Sequence, residues 1–196
     1  SFTNNDDISI QGGTDKSSFN VGVNYLKEDG LIKDNTYEKL GMRANYDFKL
    51  SKYVQAGLNI VITSARSKPT NGDLLVQAYK GLPIMAAKDA NGKFVDPTSL
   101  PIAVGQSSNP AATLYYNYQW NNAYNGIADF FVDINLLKYF TLRTTLGVNP
   151  QLSRYVSFTP IYNVSSFQHS TTNSMSKSRN DNLNTSWDNT LTFEKT

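Results

Sequence analysis

The sequence predicts an all-β chain: a segment of about seven antiparallel strands from a large transmembrane β-barrel, with long extracellular loops that contain a short helix. Three observations carry that expectation. Apolar and polar residues alternate with period two over runs of about ten residues, long against the usual strand of about 5–6. Tight and very long connections take turns along the chain, as in outer-membrane barrels with short turns at one border and long loops at the other. Phenylalanines fall at the tight-turn end of the apolar runs, where a lipid–water border favours aromatic rings.

Strand one alternates Ile8 and Ile10 with Ser9 and Gln11, and the polar run Gly12-Gly13-Thr14-Asp15-Lys16 turns it into strand two. There Phe19, Val21, Val23 and Tyr25 alternate with Asn20, Gly22 and Asn24, and the run ends near Lys27. After a modest loop from Glu28-Asp29-Gly30, strand three sets Leu40, Met42, Ala44, Tyr46 and Phe48 against Lys39, Gly41, Arg43, Asn45 and Asp47. The Leu50-Ser51-Lys52 turn leads to strand four, where Val54, Ala56, Leu58, Ile60 and Ile62 oppose Gln55, Gly57 and Asn59.

A long excursion from Ser64 to about Tyr118 follows. It holds one expected helix, Asp73 to Leu82, with Asp73 as N-cap and Pro83 as terminator. Asn91-Gly92 reads as a hairpin turn, and Ser107-Ser108-Asn109-Pro110 as irregular structure. Strand five has Ala128, Phe130, Val132 and Ile134 on one face and Asp129 and Asp133 on the other, with Phe131 breaking the pattern. A Leu137-Lys138-Tyr139 turn gives strand six, Phe140, Leu142, Leu146 and Val148 against Thr141, Arg143, Thr145 and Asn149. A polar loop from about Ser157 to Asp181 precedes strand seven, with Trp187, Leu191 and Phe193 on its apolar face. Placing the tight turns together puts Phe19, Phe48, Phe140 and Phe193 at one border, as lipid-interface aromatics. Tyr25, Tyr124 and Trp187 are expected nearer the other.

Composition excludes several classes. Charged residues make up 17% of the 196, net charge is +2, and the bases are scattered, which argues against a nucleic-acid surface. Absence of Cys removes disulfides, thiol nucleophiles and thiolate metal sites, and a single His weakens most metal and acid–base proposals. No run approaches the roughly 18 apolar residues of a spanning helix, but spanning strands need only about 9–11. The chain opens without Met or signal peptide and reads as a processed or excised piece.

No catalytic residue, metal site or cofactor is expected, and the chain does not read as an enzyme. Asp129 and Asp133 share a face, but four residues of strand span about 13 Å at roughly 3.3 Å each, too far for a glycosidase pair. They read as solvated carboxylates within reach of Arg143 or of a plug. His169 sits in a Ser/Thr-rich loop without an acid nearby. Asp89-Ala90-Asn91-Gly92 echoes an EF-hand opening, but Leu100 stands where the twelfth-position Glu belongs, so a hairpin turn is the better reading. Asn24, Arg43, Asn45, Asn59, Asp129 and Arg143 are the candidate lumen-lining residues. Tyr115, Tyr116, Tyr118 and Trp120 are the loop candidates for substrate or partner contact, with an upper aromatic belt as the equal alternative.

Several stretches resemble one family in its own order across essentially the whole chain. They are Ile10 to Val21, Tyr25-Leu26, Glu28 to Ile32, Arg43 to Asp47, Asn109-Pro110, Ser157-Phe158-Thr159-Pro160 and Trp187 to Thr192. Together they resemble SusC/RagA-type TonB-dependent transporters. Gln11, where that family leads one to expect a small residue, and the Ile84-Met85-Ala86-Ala87 run depart from the pattern. The resemblance implies a barrel of about 22 strands closed by an N-terminal plug. It also implies location in the bacterial outer membrane, a SusD-like surface lipoprotein as partner, and import of glycan or peptide oligomers driven by the TonB complex. Plug and TonB box match nothing in residues 1–196, which would be barrel wall throughout. Two other readings remain open at this point: a soluble all-β carbohydrate-binding sandwich, and a passive structural or adhesin barrel.

Overall fold

The computed structural model describes residues 2–70, 73–81, 83–99, 108–136 and 139–195. Leu82, Leu100, Ser107 and the Leu137-Lys138 part of the expected turn lie outside them. Seven strands form one antiparallel sheet: β1 (Phe2–Gly13), β2 (Ser17–Asp29), β3 (Thr36–Lys49), β4 (Val54–Lys68), β5 (Tyr118–Leu136), β6 (Phe140–Thr159) and β9 (Ser174–Phe193). Their spatial order follows the chain, β1-β2-β3-β4-β5-β6-β9. Two-residue strands β7 (Tyr162–Asn163) and β8 (His169–Ser170) pair within the last loop. Two helices, α1 (Leu74–Lys80) and α2 (Pro110–Tyr115), lie in the excursion between β4 and β5. No described helix is long and apolar enough to cross a membrane.

The sheet is a single layer. Among the described residues the buried apolar side chains are Leu74, Pro97 and Ala112, all in the excursion between β4 and β5, while Ile8, Met42, Ile62 and Phe130 on the sheet stand open. The soluble sandwich is thereby overturned, because that fold buries one face of each sheet against a second. Register explains why the apolar face is continuous. Ile10, Val21, Ala44, Ile60, Ala128 and Val148 stand side by side on six adjoining strands. One step away, Gln11, Asn20, Asn45, Asn59 and Asp129 form an equally continuous polar row. A slip of one residue at any pair would put Asn among Val and Ile, so each register is pinned by both faces.

Short turns gather at one end and are built locally. Thr14 donates its amide to the Ser17 carbonyl (2.7 Å), and its Oγ1 accepts from the Lys16 and Ser17 amides. Ser51 Oγ accepts from the Tyr53 and Val54 amides in the same manner. Neighbouring turns are also tied: the Lys49 amide reaches Lys16 O (2.8 Å) and the Asn135 amide reaches Tyr53 O (2.8 Å).

The expected strands exist, but they run further at the long-loop end than alternation suggested. β5 begins at Tyr118 rather than near Ala128, and β9 at Ser174 rather than near Asp181. The added residues break the apolar–polar contrast, with Asn121, Asn122 and Asn125 on β5 and Ser176 to Asn180 on β9, which is how strands read once they pass beyond an apolar band into water. Trp187 also departs from its expected border: it pairs with Leu146 inside the apolar band, and its Nε1 donates to Thr144 Oγ1 (2.9 Å). Tyr25 and Tyr124 do share the row that ends the band, with Leu40 and Ser64 between them.

The helices differ in part from expectation. α1 starts after Asp73, which occupies the N-cap position without a side-chain capping bond, and it ends at Lys80 with Gly81 extended. α2 occupies a stretch expected to be irregular. Its signal is local: Asn109 caps it by accepting from the Ala111 and Ala112 amides, and Pro110 fills the first turn, where no amide hydrogen is needed.

Candidate functional site

The six polar candidates all lie on one face. Asn45, Asn59 and Asp129 follow one another in a single row, Arg43 and Asn24 stand on β3 and β2 beside it, and Arg143 stands on β6. Three glycines shape this face, each lying beneath a side chain from the next strand. Gly22 leaves the Arg43 guanidinium room to lie across β2 and reach Asp7 on β1 (3.3 and 3.4 Å). Gly57 lies under the Phe131 ring. Gly147 leaves room for the Asp129 carboxylate and the Ser186 hydroxyl to approach its backbone. A methyl group at any of the three would meet those atoms within van der Waals distance.

Phe131 therefore breaks the alternation for a reason. It covers the backbone exposed at Gly57, and the Arg143 guanidinium lies over its outer face at 4.7 Å. Arg143 at the same time donates two bonds of 2.6 Å to Asp133, its direct partner across the ladder. Asp133 is thus engaged, and Asp129 sits in a different row beside Gly147. Asn24 donates to Asn5 Oδ1 (2.8 Å). Asn20, in the same row as Asn45, keeps a buried Oδ1 without a hydrogen-bond partner.

At the long-loop end, the excursion folds over this same polar face. Pro69 O accepts from Gln119 Nε2 (3.1 Å) and Asn117 Nδ2 (3.2 Å), and Tyr155 donates to Gln119 Oε1 (2.6 Å). Gln119 and Tyr155 belong to the polar face by their register. Asn109, fully buried, is the centre of the folded loop. Its amide group donates to Ala87 O (2.9 Å) and Val95 O (3.0 Å) while its Oδ1 caps α2. Gln168 from the β6–β9 loop exchanges two bonds with the Asn109 backbone and donates to Thr113 Oγ1 (2.9 Å), which in turn donates to Gln77 Oε1 on α1 (2.6 Å). Sequence reading treated Asn109 as part of an irregular stretch and gave Gln168 no role. The Asn-Pro pair was a usable signal for the cap, whereas nothing local announces Gln168.

Between the folded loops and the strand ends lies a cleft of about 670 Å³. Its walls include Gln77, Thr113, Tyr116, Gln119, Tyr155, Tyr162 and Gln168, so it is mostly polar with aromatic panels. Tyr116 stacks on Tyr162 (centroids 4.3 Å, 13°), and Phe94 and Tyr115 pack edge-on beside it with Lys88 over their rings. The four loop aromatics separate here. Tyr115 and Tyr116 belong to this cluster, while Tyr118 and Trp120 stand on the apolar face of β5, Tyr118 against Phe158.

Phe19, Phe48, Phe140 and Phe193 all fall on the apolar face toward the short turns, and the last two rings pack at 5.0 Å. His169 Nδ1 lies 3.2 Å from Ser165 O, and no cluster of metal-ligating groups exists among the described residues. Asp89 Oδ1 accepts from the Asn91 and Lys93 amides (2.9 Å each), with Gly92 at φ 79°, which is a hairpin turn closed by its own carboxylate.

No protein-family model matches the chain. Among curated proteins it is similar to TonB-dependent receptor P3 of Formosa agariphila, 23% identical over 80% of this chain and 16% of that protein. It is also similar to TonB-dependent receptor P26 of the same organism, 26% identical over 79% of this chain and 15% of that protein. The chain thus spans about a sixth of the length of the curated relatives it matches. Among solved structures, the RagAB peptide importer in its closed-closed state superposes with a TM-score of 0.73, at 18% identity over 96% of this chain and 22% of that one. The open form of the Escherichia coli ferric-catecholate import receptor Fiu gives 0.54, at 17% identity over 97% of this chain and 28% of that one. The likeness to SusC/RagA-type TonB-dependent barrels, read first from the residues, is borne out, and with it the outer-membrane location. The sheet is a piece of barrel wall that does not close on itself among the described residues.

Proposed function

We infer, from a chain that has the fold of a TonB-dependent barrel wall, that it serves outer-membrane import of nutrient oligomers, glycan or peptide, in a SusC-like transporter. In this reading residues 1–196 are wall and extracellular lid, and the plug and TonB box belong to other parts of the protein. The polar face with Asn24, Arg43, Asn45, Asn59, Asp129 and Arg143 lines the lumen, and the apolar face with Phe19, Phe48, Phe140 and Phe193 meets lipid. The role is passage and gripping, without catalysis. A SusD-like surface lipoprotein is the partner that captures substrate and hands it to the loop cleft.

The observation that supports this best is the direction in which the loops fold. They cover the polar face at the long-loop end, leaving a cleft of about 670 Å³ whose walls mix amides, hydroxyls and stacked tyrosines. Such walls suit an oligomer with many hydrogen-bonding groups and some flat apolar surface, which describes glycans and peptides alike. Extended ligands also gain from a path lined by well-hydrated side chains that hold without trapping.

Uptake of labelled oligomers by cells carrying the complete protein tests the reading. TonB-dependent uptake that falls when Tyr116 and Gln119 are replaced by alanine supports it. Uptake unaffected by those changes, or by loss of TonB, overturns it. Purification without a co-migrating surface lipoprotein removes the partner.

A further inference from the structure

Two residues beyond the row that ends the apolar band, the same outward face turns basic. Lys27, Glu38, Arg66, Asn122, Arg154 and Arg179 stand side by side on six adjoining strands. One further step along brings Lys68 on β4 and Lys177 on β9. Counted from the short-turn ends, Lys27, Arg66 and Arg154 stand roughly 10 to 14 residues up their strands. At about 3.3 Å per residue and about 40° of tilt that is a height of roughly 25–35 Å, just past a lipid-facing band of about 25 Å. The acids on this part of the face are Asp6, Asp29, Glu38 and Asp181. Glu38 lies 3.8 Å from Lys27 and stands directly opposite Arg66 across the ladder, and Asp181 is held by Arg179; among the described residues Lys68 and Arg154 make no ion pair.

A notch of about 330 Å³ opens in this girdle, walled by Thr36, Glu38, Arg66, Lys68, Tyr118 and Trp120. It combines the cations of Arg66 and Lys68, with the Glu38 carboxylate beside Arg66, and two aromatic rings whose polar edges suit a membrane border. Basic residues scattered for solubility would distribute evenly over both faces, but at this level, among the described residues, only Lys39 stands inward while six bases stand outward. We propose that this girdle, centred on the Arg66–Lys68 notch, binds a phosphorylated headgroup of the outer-leaflet lipid. The guanidinium of Arg66 supplies the forked donors that phosphate oxygens accept, and Lys68 supplies a second charge. Trp120 and Tyr118, which stand at and beyond the level of Lys68, pack on the sugar portion. The inference rests on the outward face meeting lipid and is independent of what the lumen carries.

The complete protein is placed in phosphatidylcholine nanodiscs doped with lipid A or with enzymatically dephosphorylated lipid A, and co-retained lipid is quantified by native mass spectrometry. Phosphorylated lipid A should be retained preferentially. Arg66→Gln/Lys68→Gln should lower that retention about twenty-five-fold, roughly fivefold for each basic residue near an anionic headgroup. The charge-conserving variant Arg66→Lys/Lys68→Arg should keep most of it, which separates lost charge from lost folding. Equal retention of the dephosphorylated lipid, or unchanged retention in the glutamine variant, overturns the proposal. Displacement of the lipid by millimolar orthophosphate also overturns it, because the notch would then be a free-anion site.

Discussion

Asn109 and Gln168, fifty-nine residues apart, exchange hydrogen bonds in both directions: the Asn109 amide donates to Gln168 Oε1 (2.8 Å) and Gln168 Nε2 donates to the Asn109 carbonyl (3.0 Å). Both residues are buried. This clasp joins the two longest loops, and through Thr113 and Gln77 it also holds α1.

Gln168→Ala should release the lid while sparing the barrel. It leaves a buried backbone amide without its acceptor, a loss of about 1–3 kcal/mol. Limited proteolysis of the complete protein in detergent should then cut within residues 83–99 or 161–172 several times faster than in the parent. Heat-modifiable migration of the barrel should not change. An unchanged cleavage rate would mean that the clasp is redundant.

Gly57→Ala should destabilise the wall because its methyl group collides with the Phe131 ring. Displacing the ring also disturbs the Arg143 guanidinium packed over it. A cost of about 1–3 kcal/mol is expected, as for other overpacked sites. Phe131→Ala alone should also destabilise, and the double variant should recover part of the Gly57→Ala loss. Denaturant titration of folding into detergent micelles measures all three, and strict additivity would show that the two positions do not interact.

Outward and inward substitutions should differ sharply in cost. Ile60→Arg puts a charge on the apolar face near mid-band, worth about 2–4 kcal/mol of destabilisation in a bilayer, with less expected of Asn59→Arg on the polar face. Folding efficiency into liposomes, read by gel shift, makes the comparison. Equal costs would mean that the apolar face does not contact acyl chains.

Asp133→Asn should be mild. The Arg143–Asp133 pair has good geometry, and Asp133 is only 14% exposed, but the Arg143 side chain is 54% exposed, so solvent screens the pair and limits it to about 1 kcal/mol. Arg143 keeps its place over Phe131, and the variant should fold with a stability close to the parent's and a smaller response to added salt. A loss of several kcal/mol in the same titration would show that the pair is far less solvated than its exposure indicates.

Most of the wall was legible in the residues because a strand has a strict period of two. Val21 and Asn20 cannot trade faces without moving every neighbour, so alternation over ten residues declares both the strand and its two surfaces. Legibility failed where that contrast disappears. Ser176–Asp181 is polar on both faces and reads as loop, although its backbone pairs with β6 along its whole length. Trp187 was placed at a border by residue type, but its level depends on pairing with Leu146. Phe131 looked like an error in the pattern until Gly57 came to lie beneath it.

What the sequence determined by itself was local and periodic: the strands, their faces, the tight turns, and the alternation of short with long connections. The tertiary structure alone decided which distant residues meet. Gln168 finds Asn109, Arg43 crosses Gly22 to Asp7, and the outward bases of four strands line up into one girdle. The physical reason is that side-chain periodicity follows from backbone geometry within a strand, whereas contacts between loops and the stacking of rows depend on register and chain path, which no short window of residues contains.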